Sequence, residues 1–297
     1  MPTALLLLLL ACAEPPAPAA AAPVDWTDPT ADDDWTGLVP STPIAPTWGI
    51  AEIEAQFDLA FEGGLPTPHE ALATYLELLT HGDADCPGSD FNQGFAVFGL
   101  CTSAEGYSYS GAAGLLTTDE RTYLDDGSWT GYYSTFSAPA DYFIIRPDGT
   151  RLSAGGTFNL NDGNRGSGAE WRSSITGTWQ DSGHDGWLKE GYSGTLFYDG
   201  SRDVEGNAVQ NVRGTITVNG VSVAMESVRV DATQCRTGFV SGTFYLRQPD
   251  TSWFPLILPT GCSTCGTVTW EDGSTIGEAC LDPRPFFSVI DLTSTPE

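Results

Sequence analysis

The sequence predicts an all-β fold: a long antiparallel meander curled into a barrel, half-barrel or two-layer roll, with one short helix near 68–80. Three observations predict it. Asp-Gly or Asn-Gly pairs begin at 126, 148, 162, 185, 199, 219 and 272, and such pairs supply the positive φ angles of tight hairpin turns. Strand-like runs lie between them, at 142–146, 157–160, 171–179, 193–198, 211–218, 221–230, 238–247, 253–258 and 267–270. A Gly-Thr-apolar triplet begins at 156, 177, 194, 214, 242 and 266, with spacings of 21, 17, 20, 28 and 24 residues. About twenty residues is two strands with their turns, so the triplet marks a hairpin repeat. A glycine at the same place in alternate strands lets backbones approach closely or lets the sheet coil.

The chain opens on six leucines, Leu5 to Leu10, followed by Ala11 and Cys12. The run is too short to span a bilayer, which takes about 20 apolar residues, and it suits the apolar core of a secretory signal. Leu9-Leu10-Ala11-Cys12 resembles the lipobox of bacterial lipoproteins. The resemblance covers only the first twelve residues. It implies a signal peptide over 1–11 and acylation of Cys12, so that the protein partners a membrane through its N-terminal lipid. Ala13 rather than Asp after the cysteine implies the outer membrane or cell surface. Several acyl chains anchor firmly where one holds only marginally.

Residues 12–46 read as a linker. Its first half is almost wholly Ala and Pro and its second half is acidic and polar, including Asp32-Asp33-Asp34. Such a segment buries too little apolar surface to offset its ordering entropy. A single β-rich domain is expected over 47–291, with a short tail over 292–297. Ile53, Ala55, Phe57, Leu59 and Phe61 alternate with more polar residues, and this period of two predicts a half-buried strand ending at Gly63-Gly64. Thr67 then caps the predicted helix, with Pro68 at its first position and Glu70 completing a capping box. Leu72, Tyr75, Leu76 and Leu79 form its apolar face and Gly82 ends it.

The seven cysteines leave six once Cys12 is set aside. In an oxidising envelope that means three disulfides. A two-residue turn at Asp272-Gly273 places Cys265 directly opposite Cys280. Cys86 and Cys101 bracket a turn near Gln93-Gly94, and Cys235 and Cys262 remain, flanking a hairpin with its turn near Pro249-Asp250. Cys262-Ser263-Thr264-Cys265 also has C-x-x-C spacing, but a redox motif needs a βαβ context, and pairing accounts for the four cysteines a zinc site would use.

With 39 acids against 12 bases, the net charge of −27 argues against nucleic-acid binding, which needs a basic patch. No catalytic motif emerges. His69-Glu70 starts like H-E-x-x-H, but Ala73 stands where the second histidine would be, and His184 lies in a turn. No metal or other cofactor is expected. Acidic turns offer calcium candidates at Asp83, Asp85 and Asp90, and at Asp199, Asp203, Glu205 and Asn207, but neither set has EF-hand spacing and turn formation accounts for both. Trp171, Trp179 and Trp187, with Tyr107, Tyr109, Tyr132 and Tyr133, are either core residues or a sugar-stacking strip. The expected role is binding or structural, with an envelope protein or glycan as partner. The alternatives are a carbohydrate-binding module and a hydrolase whose site is spread over distant strands. An outer-membrane barrel would also show alternating strands, but anchor, linker and disulfides suit a peripheral domain better.

Overall fold

The computed structural model describes residues 46–90, 95–96, 100–164, 168–248 and 252–287. Cys12, the linker up to 45, the turn expected at Gln93-Gly94, the Pro249-Asp250 turn and the tail lie outside them. The fold is all-β, as expected: a large antiparallel sheet with a few short helices. In chain order the elements are α1 (Ile50–Phe61), α2 (Pro68–Thr80), β1 (Ser89–Asp90), β2 (Phe95–Ala96), β3 (Cys101–Thr102), β4 (Ser108–Asp119), β5 (Thr122–Tyr123), β6 (Trp129–Ile145), β7 (Arg151–Asn164), β8 (Gly168–Asp181), α3 (Trp187–Glu190), β9 (Tyr192–Asp203), β10 (Ala208–Val218), β11 (Val221–Asp231), β12 (Ser241–Arg247), β13 (Trp253–Leu258), β14 (Cys265–Thr269) and β15 (Thr275–Cys280). A further helical turn covers 284–287. From β6 to β15 every strand pairs with the next, so the meander is uninterrupted.

The segment expected as a strand at Ile53–Phe61 is helix α1. Its sequence carries two periods at once. Ile53, Phe57, Ala60 and Phe61 fall on one helical stripe, and these four are the buried ones, while Ala55 is exposed. Ala, Glu and Gln between them favour helix, and the Glu52 carboxylate accepts the Gly49 N–H to close the first turn. The stripe packs against β10, β11, β12 and β15. There Phe57 and Phe61 meet Phe244 edge-on, with Phe239 and Phe286 completing the ring cluster.

Helix α2 has the predicted bounds. Thr67 Oγ1 accepts the Glu70 N–H at 3.2 Å, with Pro68 opening the helix. Its buried face differs from the expected one: Ala71, Thr74, Tyr75 and Leu78 are buried and Leu76 is 41% exposed. The face turned because α2 packs on β7 and β8, while the Tyr75 ring meets that of Tyr142 on β6 at 5.5 Å. Sheet side chains also tie down the helix ends: Tyr109 donates its hydroxyl to Leu78 O at 2.8 Å, Tyr198 donates to Pro66 O, and Asn219 Nδ2 donates to Leu59 O at 3.0 Å. Both helices thus belong to one core lined by alternate residues of the sheet.

The Gly-Thr triplets have a structural cause. Gly156 and Gly177 are direct partners on β7 and β8, at φ +142° and +104°. A Cβ on either would lie 2.0 Å from a carbonyl oxygen of the other strand, so only glycine allows this approach. Gly194 continues the row as the partner of Gly177.

Among the predicted turns, 126, 148, 219 and 272 are hairpin turns. In three of them the aspartate accepts the N–H two residues on: Asp126 from Ser128, Asp148 from Thr150 and Asp272 from Ser274. Asp162-Gly163 and Asp199-Gly200 are instead within strands β7 and β9, and Asp185-Gly186 precedes α3. The strand ladders on both sides continue through those pairs, which overrides the local turn preference.

The three disulfides are Cys86–Cys101, Cys235–Cys262 and Cys265–Cys280, the pairing read from register. Cys265 and Cys280 are direct ladder partners. Arg146 adds a two-pronged ion pair to the buried Asp181 at 2.7 and 2.8 Å, joining the ends of β6 and β8.

Candidate functional site

The histidines do not build a catalytic relay. Glu70, at the first turn of α2, accepts from the Trp187 indole N–H and lies 3.5 Å from His184 Nε2. Glu70 therefore does not complete the capping box; it ties α2 to the β8–β9 connection. Burial raises its carboxyl, with the Trp187 bond and His184 opposing. His184 faces Glu70 through Nε2, and its Nδ1 has no hydrogen-bond partner among the described residues. His69 is pushed down to about 4 by burial. His81 pairs with Glu105 at 2.8 Å and stacks on Tyr107.

The acidic turns are engaged by the backbone. Asp203 accepts the N–H groups of Glu205 and Asn207 and the Asn207 side-chain amide. Asp83 accepts from Asp85, Cys86 and Ala104. Asp199 on β9 pairs instead with Arg172 and Arg213. Trp171, Trp179 and Trp187 are at most 2% exposed and serve the core. They are not a stacking strip, and neither is the buried Tyr109; Tyr132, at 40% exposure, remains available.

A different constellation emerges on the outer face of β6–β10. Two rows of side chains cross these strands in register. One runs Ser134, Asn161, Arg172, Asp199, Asn211 and the other Tyr132, Gly163, Glu170, Ser201, Val209. All of them but Ser134 line a groove of about 700 Å³, which Trp171 and Gly200 also border. A second hollow of about 450 Å³ adjoins it, lined by Asn159, Arg172, Ser174, Phe197, Asp199 and Arg213. Arg172 and Asp199 are common to both. The Asp199 carboxylate sits between two guanidinium groups, Arg172 at 3.5 Å and Arg213 at 3.6 Å, and Arg213 also covers the Phe197 ring. Strand alternation explains the placement: Trp171, Tyr198 and Gln210 point to the core, so their neighbours Arg172, Asp199 and Asn211 point out.

Chemically, the groove presents planar amides, carboxylates, guanidinium groups and a hydroxyl beside an exposed phenol. That set offers donors and acceptors in close succession, as polyhydroxylated ligands require, with an aromatic face at one end. Sequence reasoning singled out Tyr132 for sugar stacking and Asp199 for calcium. The remaining residues carry no local signal, because each strand contributes only one or two of them. No family model matches the chain, and neither does a curated protein or a solved structure.

Proposed function

We propose that the chain is a lipid-tethered envelope protein whose β domain binds carbohydrate along the outer face of β6–β10. The observation that carries the reading is the pair of adjoining hollows that share Arg172 and Asp199. Amide and carboxylate side chains fixed on a sheet can hold sugar hydroxyls without rearrangement, which lowers the entropic cost of binding. The exposed Tyr132 ring offers a surface for the apolar face of a sugar.

The tether is supported by Leu9-Leu10-Ala11-Cys12, and export by the three disulfides. No helix among the described residues is long and apolar enough to cross a membrane, which is compatible with holding the domain through a lipid. Metabolic labelling with an acyl-chain analogue tests the tether: label in the wild type and none in Cys12→Ala is expected. A glycan array probed with the purified protein tests the ligand class. Binding to a related group of glycans is expected, and silence across the array contradicts the reading.

A further inference from the structure

The inner face of the same strands carries a second polar row. Asp162, Trp171, Gly200 and Gln210 are successive ladder partners across β7, β8, β9 and β10. Gln210 is fully buried, and among the described residues neither its Oε1 nor its Nε2 has a hydrogen-bond partner. Trp171 is 2% exposed and its Nε1–H is likewise unpartnered. Ser173, two residues along β8 on the same face, is 6% exposed with an unpartnered Oγ, and Asp162 Oδ1 is unpartnered too. Buried polar atoms are nearly always satisfied in β cores, so four residues of this kind in one neighbourhood point to an occupant that satisfies them. Gly200 makes room for the indole: a Cβ there would lie 2.2 Å from the Trp171 ring and 2.5 Å from its Nε1. The indole N–H therefore lies over Gly200, between the strands of Asp162 and Gln210. Asp162 and Gly200 are half-buried, and Trp171 and Gln210 are buried.

We propose that this row is a binding site for a small neutral hydroxylated molecule. The donors are the Trp171 indole and the Gln210 amide nitrogen; the acceptors are Asp162, Gln210 Oε1 and Ser173. A hydroxyl both donates and accepts, so a molecule with several can serve all of them. A cation is disfavoured because Arg121 already acts on Asp162, and an anion is disfavoured by Asp162 itself. Tyr133, the partner of Asp162 on β6, sits under Arg121 at 4.8 Å and adds an aromatic wall. The row alternates with Arg172 and Asp199 along the strands, and its Trp171 and Gly200 also border the outer groove.

The test is titration of the full chain with glycerol, glucose and myo-inositol, with methylammonium and acetate as charged controls. The readouts are calorimetry and the indole ¹H–¹⁵N resonance of Trp171. At least one neutral probe shifts that resonance, and Gln210→Met weakens its binding about tenfold or more, the loss expected for about 1.4 kcal/mol of hydrogen bonding. Ile257→Ala, on the exposed face of β13, leaves it unchanged. A Trp171 resonance that no neutral probe moves overturns the proposal and leaves the row to water alone. This readout needs no variant, so it decides the question even if Gln210→Met fails to fold. A shift with methylammonium or acetate but no neutral probe overturns the ligand class.

Discussion

Arg172 and Asp199 face one another directly across β8 and β9, with guanidinium and carboxylate 3.5 Å apart. Arg172 is 85% exposed, so this pair contributes little to folding. Exposed pairs are worth roughly 0–1 kcal/mol. Its consequence is positional: the carboxylate holds two guanidinium groups, on β8 and β10, at fixed places on the outer face. Arg172→Ala should therefore leave urea stability within about 0.5 kcal/mol of the wild type. A larger loss would show that the pair is structural.

Gly177→Ala should be strongly destabilising. The added methyl would meet Gly155 O at 2.0 Å, at a φ of +104°. Strain and overpacking together suggest a loss of about 3 kcal/mol, read as a lower urea midpoint. Near-wild-type stability would mean that β7 and β8 are less closely apposed.

Removing the Cys265–Cys280 crosslink by a double serine substitution should cost about 3 kcal/mol, the chain-entropy value for a loop of this size. Non-reducing peptide mapping of the wild type should recover the three local pairs. A peptide linking Cys262 to Cys280 would contradict the fold at this edge.

Asp181→Asn should cost about 3 kcal/mol or more at neutral pH, because it leaves Arg146 without its buried counter-charge. Burial alone would raise the Asp181 carboxyl, but the bonds from Arg146 and Gly183 outweigh it and hold it below its ordinary value. Its stabilisation is present above that ordinary value and is lost as pH falls through the depressed one. Acid denaturation of Asp181→Asn should therefore be shallower than that of the wild type.

Asp162 has the opposite sign. Burial, opposed by the weaker pull of Arg121, takes its carboxyl from 3.8 up to about 6. The folded state holds this proton more tightly than the unfolded chain, so its contribution falls as pH rises between those values. Asp162→Asn should gain on the order of 1–3 kcal/mol at pH 7.5 and little at pH 4. Equal effects at both pH values would show that the carboxyl is well solvated.

The turn and glycine signals made the meander legible because backbone geometry dictates them locally. Thr67-Pro68 marked α2 for the same reason. At α1 the spacing of Ile53 and Phe57 satisfied both a strand and a helix, and packing against Phe244 and Phe286 decided between them. Asp162-Gly163 and Asp199-Gly200 look like turns only while the long ladders around them are unknown. The groove was illegible because Asn161, Arg172, Asp199 and Asn211 are distant in the chain and meet only through register.

The most direct test of carbohydrate binding is amide hydrogen exchange with and without a saturating glycan selected by array. Slower exchange is expected in the peptides covering 159–163, 170–174, 197–201 and 209–213, and Arg172→Ala should abolish it. Binding that protects other segments and survives Arg172→Ala would contradict the assignment of the groove.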